Sequence, residues 1–162
     1  MRVAVVGCGA VGSLFAANLA RLDDVEVWAY DLDRAHVDAI NATVNGVAAL
    51  TGLPHDHHFA EEEQPGDLGH LVHALVDEGK AVAAAAGVEL REDPWEMNVL
   101  ATRRGSRHYP SMLEDVEARR PTEIDHITGA LVREAERLGV PVPLHTALYR
   151  LVRAREASWE PE

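Results

Sequence analysis

The chain has 162 residues and a net charge of −12, from 27 acidic against 15 basic side chains. Phosphate contacts need clustered cations, so this balance disfavours nucleic acid as a partner, and an apolar content of 47% argues against disorder. The length suffices for an ordinary domain with a real core, no apolar run approaches the roughly 20 residues that cross a bilayer, and the single cysteine, Cys8, excludes an internal disulfide framework.

Residues 1–7 lack the charged leader and cleavage site of a signal peptide, so the expected location is the cytoplasm. Lys80 is the only lysine, and the other 14 cations are arginines. The expected surface is acidic, either as ordinary solvation or as an adaptation to high salt, where surface acids are screened and stay hydrated.

Arg2 to Val6 is a short apolar run that meets Gly7, as a buried parallel strand does. Val11, Leu14, Phe15 and Leu19 then repeat at helical spacing, and Val25 to Tyr30 alternates as a second strand ending at Asp31. Strand, glycine turn, helix and strand make the opening unit of a Rossmann dinucleotide-binding fold. In GCGAVG, Gly7 permits the tight turn, Gly9 lets backbone approach a pyrophosphate, and Gly12 allows close helix–strand packing. The pyrophosphate is expected on the helix N-terminus, where free N–H groups and the helix dipole attract anions. Asp31, 19 residues after Gly12, is spaced to hold a ribose 2′-hydroxyl, which favours NAD. A 2′-phosphate would need Arg34 to neutralise it. Cys8 reads as a small apolar filler of the turn.

Asp33 can cap the next helix, in which Val37, Ile40, Val44 and Val47 keep helical period without a break. His55 to Gly66 is polar, contains Pro65 and reads as a loop. Its His55-Asp56-His57-His58 run, with His70 and His73 nearby, invites a metal reading. No acidic or cysteine frame fixes a site, so solvated loop histidines and no metal are expected. Leu68, Leu71, Val72, Leu75, Val82 and Ala86 predict a helix that stops at Gly87. Asp93-Pro94 opens another through about Ala101, and Arg103 to Pro110 is a basic, irregular connection. Met112, Leu113 and Val116 suggest a short helix. Pro121 suits a first helical position, with Ile124, Ile127, Leu131, Ala135 and Leu138 following on one face. Gly139 ends that helix, and Pro141 and Pro143 prevent it resuming. Leu144, Leu148, Leu151 and Val152 give the last helix, and residues 157–162 are expected to fray.

The string from Ser111 to Gly129, SMLEDVEARRPTEIDHITG, resembles the substrate-side signature of the ketopantoate reductase family (2-dehydropantoate 2-reductase), matching it in identity and spacing. The glycine motif agrees with that family's cofactor domain. The resemblance covers about residues 1–40 and 41–155, with a join near Ile40 and Asn41 inside one helical pattern. It implies an α/β N-terminal Rossmann fragment (residues 1–40, strand-helix-strand) joined to an all-α C-terminal domain (residues 41–162). A two-domain member is much longer, so most of the nucleotide-binding sheet is expected to be missing, as if by an internal deletion.

What the resemblance implies about chemistry is an oxidoreductase of pantothenate biosynthesis that reduces 2-dehydropantoate to pantoate with NADPH. Local chemistry at Asp31 instead favours NADH. The expected partners are a small 2-keto acid and a second copy of the chain in a homodimer, with neither nucleic acid nor membrane. Reduction of a 2-keto acid needs a hydride facing the carbonyl carbon, an acid for the developing alkoxide, and polar groups for the carboxylate. By the resemblance, Glu123 and Asn41 serve catalysis, Asn45, Ser111 and Asp125 bind substrate, and Gly7, Gly9, Gly12 and Asp31 bind cofactor.

Each carries a plainer alternative. Asn41 and Asn45, four apart on one helix face, can be surface amides. Ser111 can be an N-cap, Glu123 can satisfy the first turn of a helix, and Asp125 can simply hold structure. The family's catalytic lysine lies four residues before the first asparagine, where this chain has Val37. Lys80 follows Asp77-Glu78-Gly79 on a helix with no catalytic counterpart. His55 and His108 stand where the family has asparagines, and either can donate a proton. Two further readings follow: a non-catalytic remnant that dimerises or binds a small acid, and a reductase of another 2-keto acid.

Overall fold

A computed structural model describes residues 2–6, 26–30, 34–60, 66–88, 90, 92–103 and 109–159. The chain divides into two compact units, Met1–Val37 and Asp38–Glu162.

In the first unit, β1 (Arg2–Val6) pairs in parallel with β2 (Glu26–Tyr30), with Arg2 opposite Glu26 and Val6 opposite Tyr30. Parallel strands cannot be joined by a tight turn and need a crossover. The 19 residues between Val6 and Glu26 are long enough for one. The predicted crossover helix, the glycine motif with Cys8, Asp31 and Asp33 lie outside the described residues, as do Pro65 and His108.

α1 (Arg34–Thr51) runs unbroken across Ile40 and Asn41. Its second half lies in the core, where Val44, Val47, Ala48 and Ala49 are buried. Gly46 lets α6 (Pro143–Ala157) come close: a Cβ there would stand 2.9 Å from Leu148 Cδ2. α1 stops at Gly52, whose φ of +72° an L side chain rarely adopts. A 3₁₀ turn follows (His57–Phe59), in which the Asp56 carboxylate accepts the His58 amide. α2 (Asp67–Ala85) is amphipathic and ends at Gly87, with Val88 N–H donating to the Ala83 carbonyl in a Schellman closure. α3 (Pro94–Arg103), α4 (Ser111–Glu117), α5 (Thr128–Leu138) and α6 follow, and the elements described in the second unit are helices.

Three apolar clusters hold these helices. The first joins Val44, Val47 and Ala48 of α1 to Phe59, Val72, Leu75, Leu113 and Leu148. The second joins Ala49 to Met112, Val116, Ile124 and Val152, and Leu50 packs against both. The third joins Val82, Ala135 and Val142. Each fully buried aliphatic side chain contributes about 1.5–3 kcal/mol by leaving water. The α6 residue Arg155 donates from Nη1 to the Ala49 carbonyl at 2.9 Å, satisfying a carbonyl at the end of α1 across 106 residues of sequence.

The sequence expectation departs from the structure in places. Pro121 does not begin a helix; α5 starts seven residues later, at Thr128. Ile124 is fully buried in the second cluster, so the segment before it must dive into the core. The backbone there closes turns instead: the Glu123 carbonyl accepts from His126 and Ile127, and the Ile124 carbonyl from Gly129 at 2.8 Å. Leu71 and Leu151, placed on apolar helical faces, are 39% and 57% exposed. The last helix holds to Ala157 and Trp159 packs on the second cluster, so the expected fraying does not begin at 157; residues 160–162 lie outside the described residues.

Candidate functional site

The candidate residues of the second unit stand on three elements that share one apolar cluster. Ala49 lies four residues after Asn45 on α1, Met112 follows Ser111 at the start of α4, and Ile124 follows Glu123. Ala49, Met112 and Ile124 all belong to the second cluster. Asn45 is buried, Ser111 exposed, and Glu123 half-buried. No hydrogen bond joins these three side chains among the described residues. The side chains of Val37 and Asn41 lie outside the described part of α1, and Gly7, Gly9, Gly12 and Asp31 outside the described residues altogether.

Two of the plainer alternatives do not hold. Pro110, not Ser111, is the N-cap of α4: its backbone is extended, and its carbonyl accepts from Leu113 and Glu114. Glu123 is not in a helical first turn, because α5 begins at Thr128. Its carboxylate has no hydrogen-bond partner among the described residues, whereas both flanks are fixed. On one side, Thr122 N–H donates to Glu156 Oε1 at 2.7 Å and Thr122 Oγ1 accepts from Ile124 N–H at 3.2 Å.

On the other side is Asp125, expected to contact substrate, with both carboxylate oxygens engaged internally. Tyr149 Oη–H donates to Oδ1 at 2.5 Å and Arg153 Nη1 to Oδ2 at 2.6 Å. The Asp125 bond pushes the Tyr149 phenol above its usual pKa. Arg133 Nη2 donates to the Asp125 carbonyl at 2.9 Å. The Tyr149 ring lies over Gly129, where a Cβ would meet Cε2 at 2.9 Å.

Lys80 is committed elsewhere. Its ammonium pairs with the Asp93 carboxylate, and that hydrogen bond raises its pKa. Burial works to raise the Asp93 pKa, but hydrogen bonds from Lys80 and the Trp95 amide bring it below the ordinary value. His55 is also in use: its Nε2 meets Asn98 Oδ1 at 2.9 Å, and Asn98 Nδ2 donates to the Phe59 carbonyl at 2.9 Å. Asp56, His57 and His58 place ligand atoms within 4.8 Å of one another, with both histidines exposed. His73 lies edge-on to Trp95 at 4.6 Å.

Sequence reasoning missed Glu78, Asn98, His145, Tyr149 and Arg153. His145 is fully buried between α6 and α2. Its one sequence signal is a polar residue on the stripe of Leu144 and Leu148. Among the described residues, no helix is long and apolar enough to cross a membrane.

Residues 32–156 match the family model for the C-terminal domain of ketopantoate reductase PanE/ApbA. The chain is 37% identical over 120 residues to a 2-dehydropantoate 2-reductase of Streptococcus pyogenes serotype M6, covering 73% of this chain and 38% of that protein. It is 33% identical over 126 residues to the enzyme of the same name from Vibrio cholerae, covering 75% and 40%. A crystal structure of 2-dehydropantoate 2-reductase from Methylococcus capsulatus superposes with a TM-score of 0.69 at 32% identity, over 80% of this chain and 43% of that one. D-mandelate dehydrogenase in complex with NADH superposes with a TM-score of 0.68 at 26% identity, over 98% and 60%. The chain thus spans less than half the length of the curated relatives it matches.

Proposed function

The chain belongs to the ketopantoate reductase family, and on that premise we propose that it serves NAD(P)H-dependent reduction of a small 2-keto acid, with 2-dehydropantoate the leading substrate. The observation that carries this reading is Glu123: a family-matched carboxylate, half-buried, flanked by two anchored residues and, among the described residues, itself unpaired. A carboxylate so held can accept a hydrogen bond from a substrate hydroxyl without first giving up an internal partner. Ser111 offers an exposed hydroxyl to the substrate carboxylate, and Asn41 and Asn45 offer amides one turn apart on α1.

The nicotinamide cofactor, when bound, supplies the hydride. The described residues fit it in one respect. β1 and β2 end side by side at Val6 and Tyr30, and the residues that follow each strand are Gly7 and Asp31. A dinucleotide fold uses these two strand ends, one for the pyrophosphate and one for the ribose. Gly7, Gly9, Gly12 and Asp31 would hold the group; Asp31 favours NADH and the family favours NADPH. Two parallel strands leave open sheet edges, which a second copy of the chain can complete. We therefore take the working form to be a cytoplasmic homodimer.

Val37 in place of the family's lysine favours a second reading, a domain that binds the acid without turning it over. Oxidation of NADH and NADPH by purified protein with 2-dehydropantoate, at low and high salt, decides between them. Turnover above a Glu123→Ala control supports the reductase. No turnover from folded protein with either cofactor leaves the binding role alone.

A further inference from the structure

We propose that Tyr149, Asp125 and Arg153 form a clamp that positions Glu123, making Tyr149 and Arg153 of the last helix positioning residues for the substrate site. The inference rests on the reading of Glu123 as a substrate contact. Nothing in that reading assigns a role to α6.

The argument is one of constraint. Residues 121–127 form a turn segment between α4 and α5, with no helix to hold them. Such a segment ordinarily moves more than the elements it joins. Here it is tied at three side-chain points. Glu156 holds the Thr122 amide, Tyr149 and Arg153 hold the two oxygens of Asp125, and Arg133 holds the Asp125 carbonyl. Three of those four donors and acceptors, Tyr149, Arg153 and Glu156, come from α6. Ile124 anchors the same segment from within, being fully buried.

Glu123 lies between Thr122 and Ile124, so its Cα is fixed on both sides while its carboxylate keeps no partner among the described residues. A site gains rate and affinity when its groups are held before the ligand arrives. A second uncompensated carboxylate in the turn would add to the repulsion of an anionic substrate. Arg153 offsets the charge of Asp125, two residues away, and the Tyr149 hydroxyl occupies its other oxygen, so that among the described residues Glu123 is the carboxylate of the turn without a partner. Gly129 fits the scheme, because the ring that carries the Tyr149 hydroxyl occupies the space its Cβ would need.

The test uses the full chain and two measurements. Amide hydrogen exchange at His126, Ile127 and Gly129 reports the turn directly, since these amides bond to the Glu123 and Ile124 carbonyls. Calorimetric titration with 2-dehydropantoate in the presence of NADPH reports the site. Tyr149→Phe keeps the ring and removes the hydroxyl. We expect it to raise exchange at those three amides and to weaken 2-dehydropantoate about tenfold, the usual scale for one hydrogen bond to a charged group. Asp125→Asn, which keeps an oxygen for the Tyr149 hydroxyl, should weaken binding less than Asp125→Ala. A Val82→Ala control, destabilised in the third cluster, should lower the melting temperature and leave both readouts unchanged.

Unaltered exchange in Tyr149→Phe overturns the clamp whatever the ligand does. Raised exchange with unaltered affinity, where Glu123→Gln loses affinity, overturns the positioning role. If wild type and Glu123→Gln bind the ligand alike, or neither binds it, the substrate reading of Glu123 falls and the positioning role falls with it; the exchange result then shows only whether the clamp holds the turn.

Discussion

The Glu78 carboxylate of α2 reaches across to the start of α6 and accepts three hydrogen bonds there, one of them from His145 Nδ1–H at 2.8 Å. The other two come from the Leu144 and His145 amides, each at 2.9 Å. These are unsatisfied donors of a helix N-terminus, and an anion there also meets the positive end of the helix dipole. His145 is fully buried, and its Nε2 finds no partner among the described residues. Burial lowers its pKa more than the Glu78 carboxylate raises it, so the ring is neutral and the contact is a hydrogen bond to an anion, not an ion pair.

Removing that carboxylate should be costly. Glu78→Ala strands three donors at a mostly buried junction, and we expect a loss of about 3 kcal/mol. Urea unfolding followed by circular dichroism measures it; a loss below about 1 kcal/mol would mean that water replaces the carboxylate freely.

The same junction predicts acid sensitivity. The native pKa of His145 lies below the ordinary value near 6.5, so as pH falls the unfolded chain takes up a proton that the folded chain resists. This contribution to stability is complete above pH 6.5 or so and is lost as pH falls through the native pKa. His145→Asn should flatten the dependence of urea midpoint on pH between about 7 and 5. An unchanged slope would assign it to other groups.

Asn98 holds the loop before α2 from within α3. It is fully buried and bonded at both ends of its amide. Asn98→Ala should cost about 2–3 kcal/mol, since it removes the donor to the buried Phe59 carbonyl and the bond to His55. Hydrogen exchange should rise across residues 55–60 and not in α5 or α6.

Gly46 is a test of close packing. A methyl group there gains about 1 kcal/mol of helix propensity. It also meets Leu148 at 2.9–3.3 Å, and Leu148 is itself buried in the first cluster. Overpacking of this kind costs about 1–3 kcal/mol, so Gly46→Ala should lower the melting temperature.

Val37 bears on activity. If the helical domain still presents its site to a cofactor, Val37→Lys should raise 2-dehydropantoate turnover by about 10²–10⁴, the usual worth of a positioned acid or charge donor. Equal turnover in variant and wild type would place the missing function elsewhere.

Most of the second unit was legible in the sequence because its helices carry strong apolar periods and glycine stops, as at Gly87 and Gly139. The candidate site was legible only as a string. Ser111 and Glu123 were found by their place in a motif, and nothing in that motif shows that Glu123 sits in a turn. Pro121 suits a helix start equally well in isolation; what decides against it is burial of Ile124, a tertiary fact. Tyr149, Arg153, Glu78 and Asn98 were invisible for the same reason. Their partners lie 24 to 67 residues away, and a local pattern carries no trace of such pairings.

The bond from Arg155 to the end of α1 sets an order of events during synthesis. Ala49 emerges from the ribosome well before the groups that cover and satisfy this end of α1: Arg155 follows it by 106 residues, with Leu148 and Val152 close by in sequence. Until they appear, the apolar stripe of α1 has only part of its cover. The second unit should therefore close only after α6 has been translated, and nascent chains arrested before residue 148 should stay open to protease.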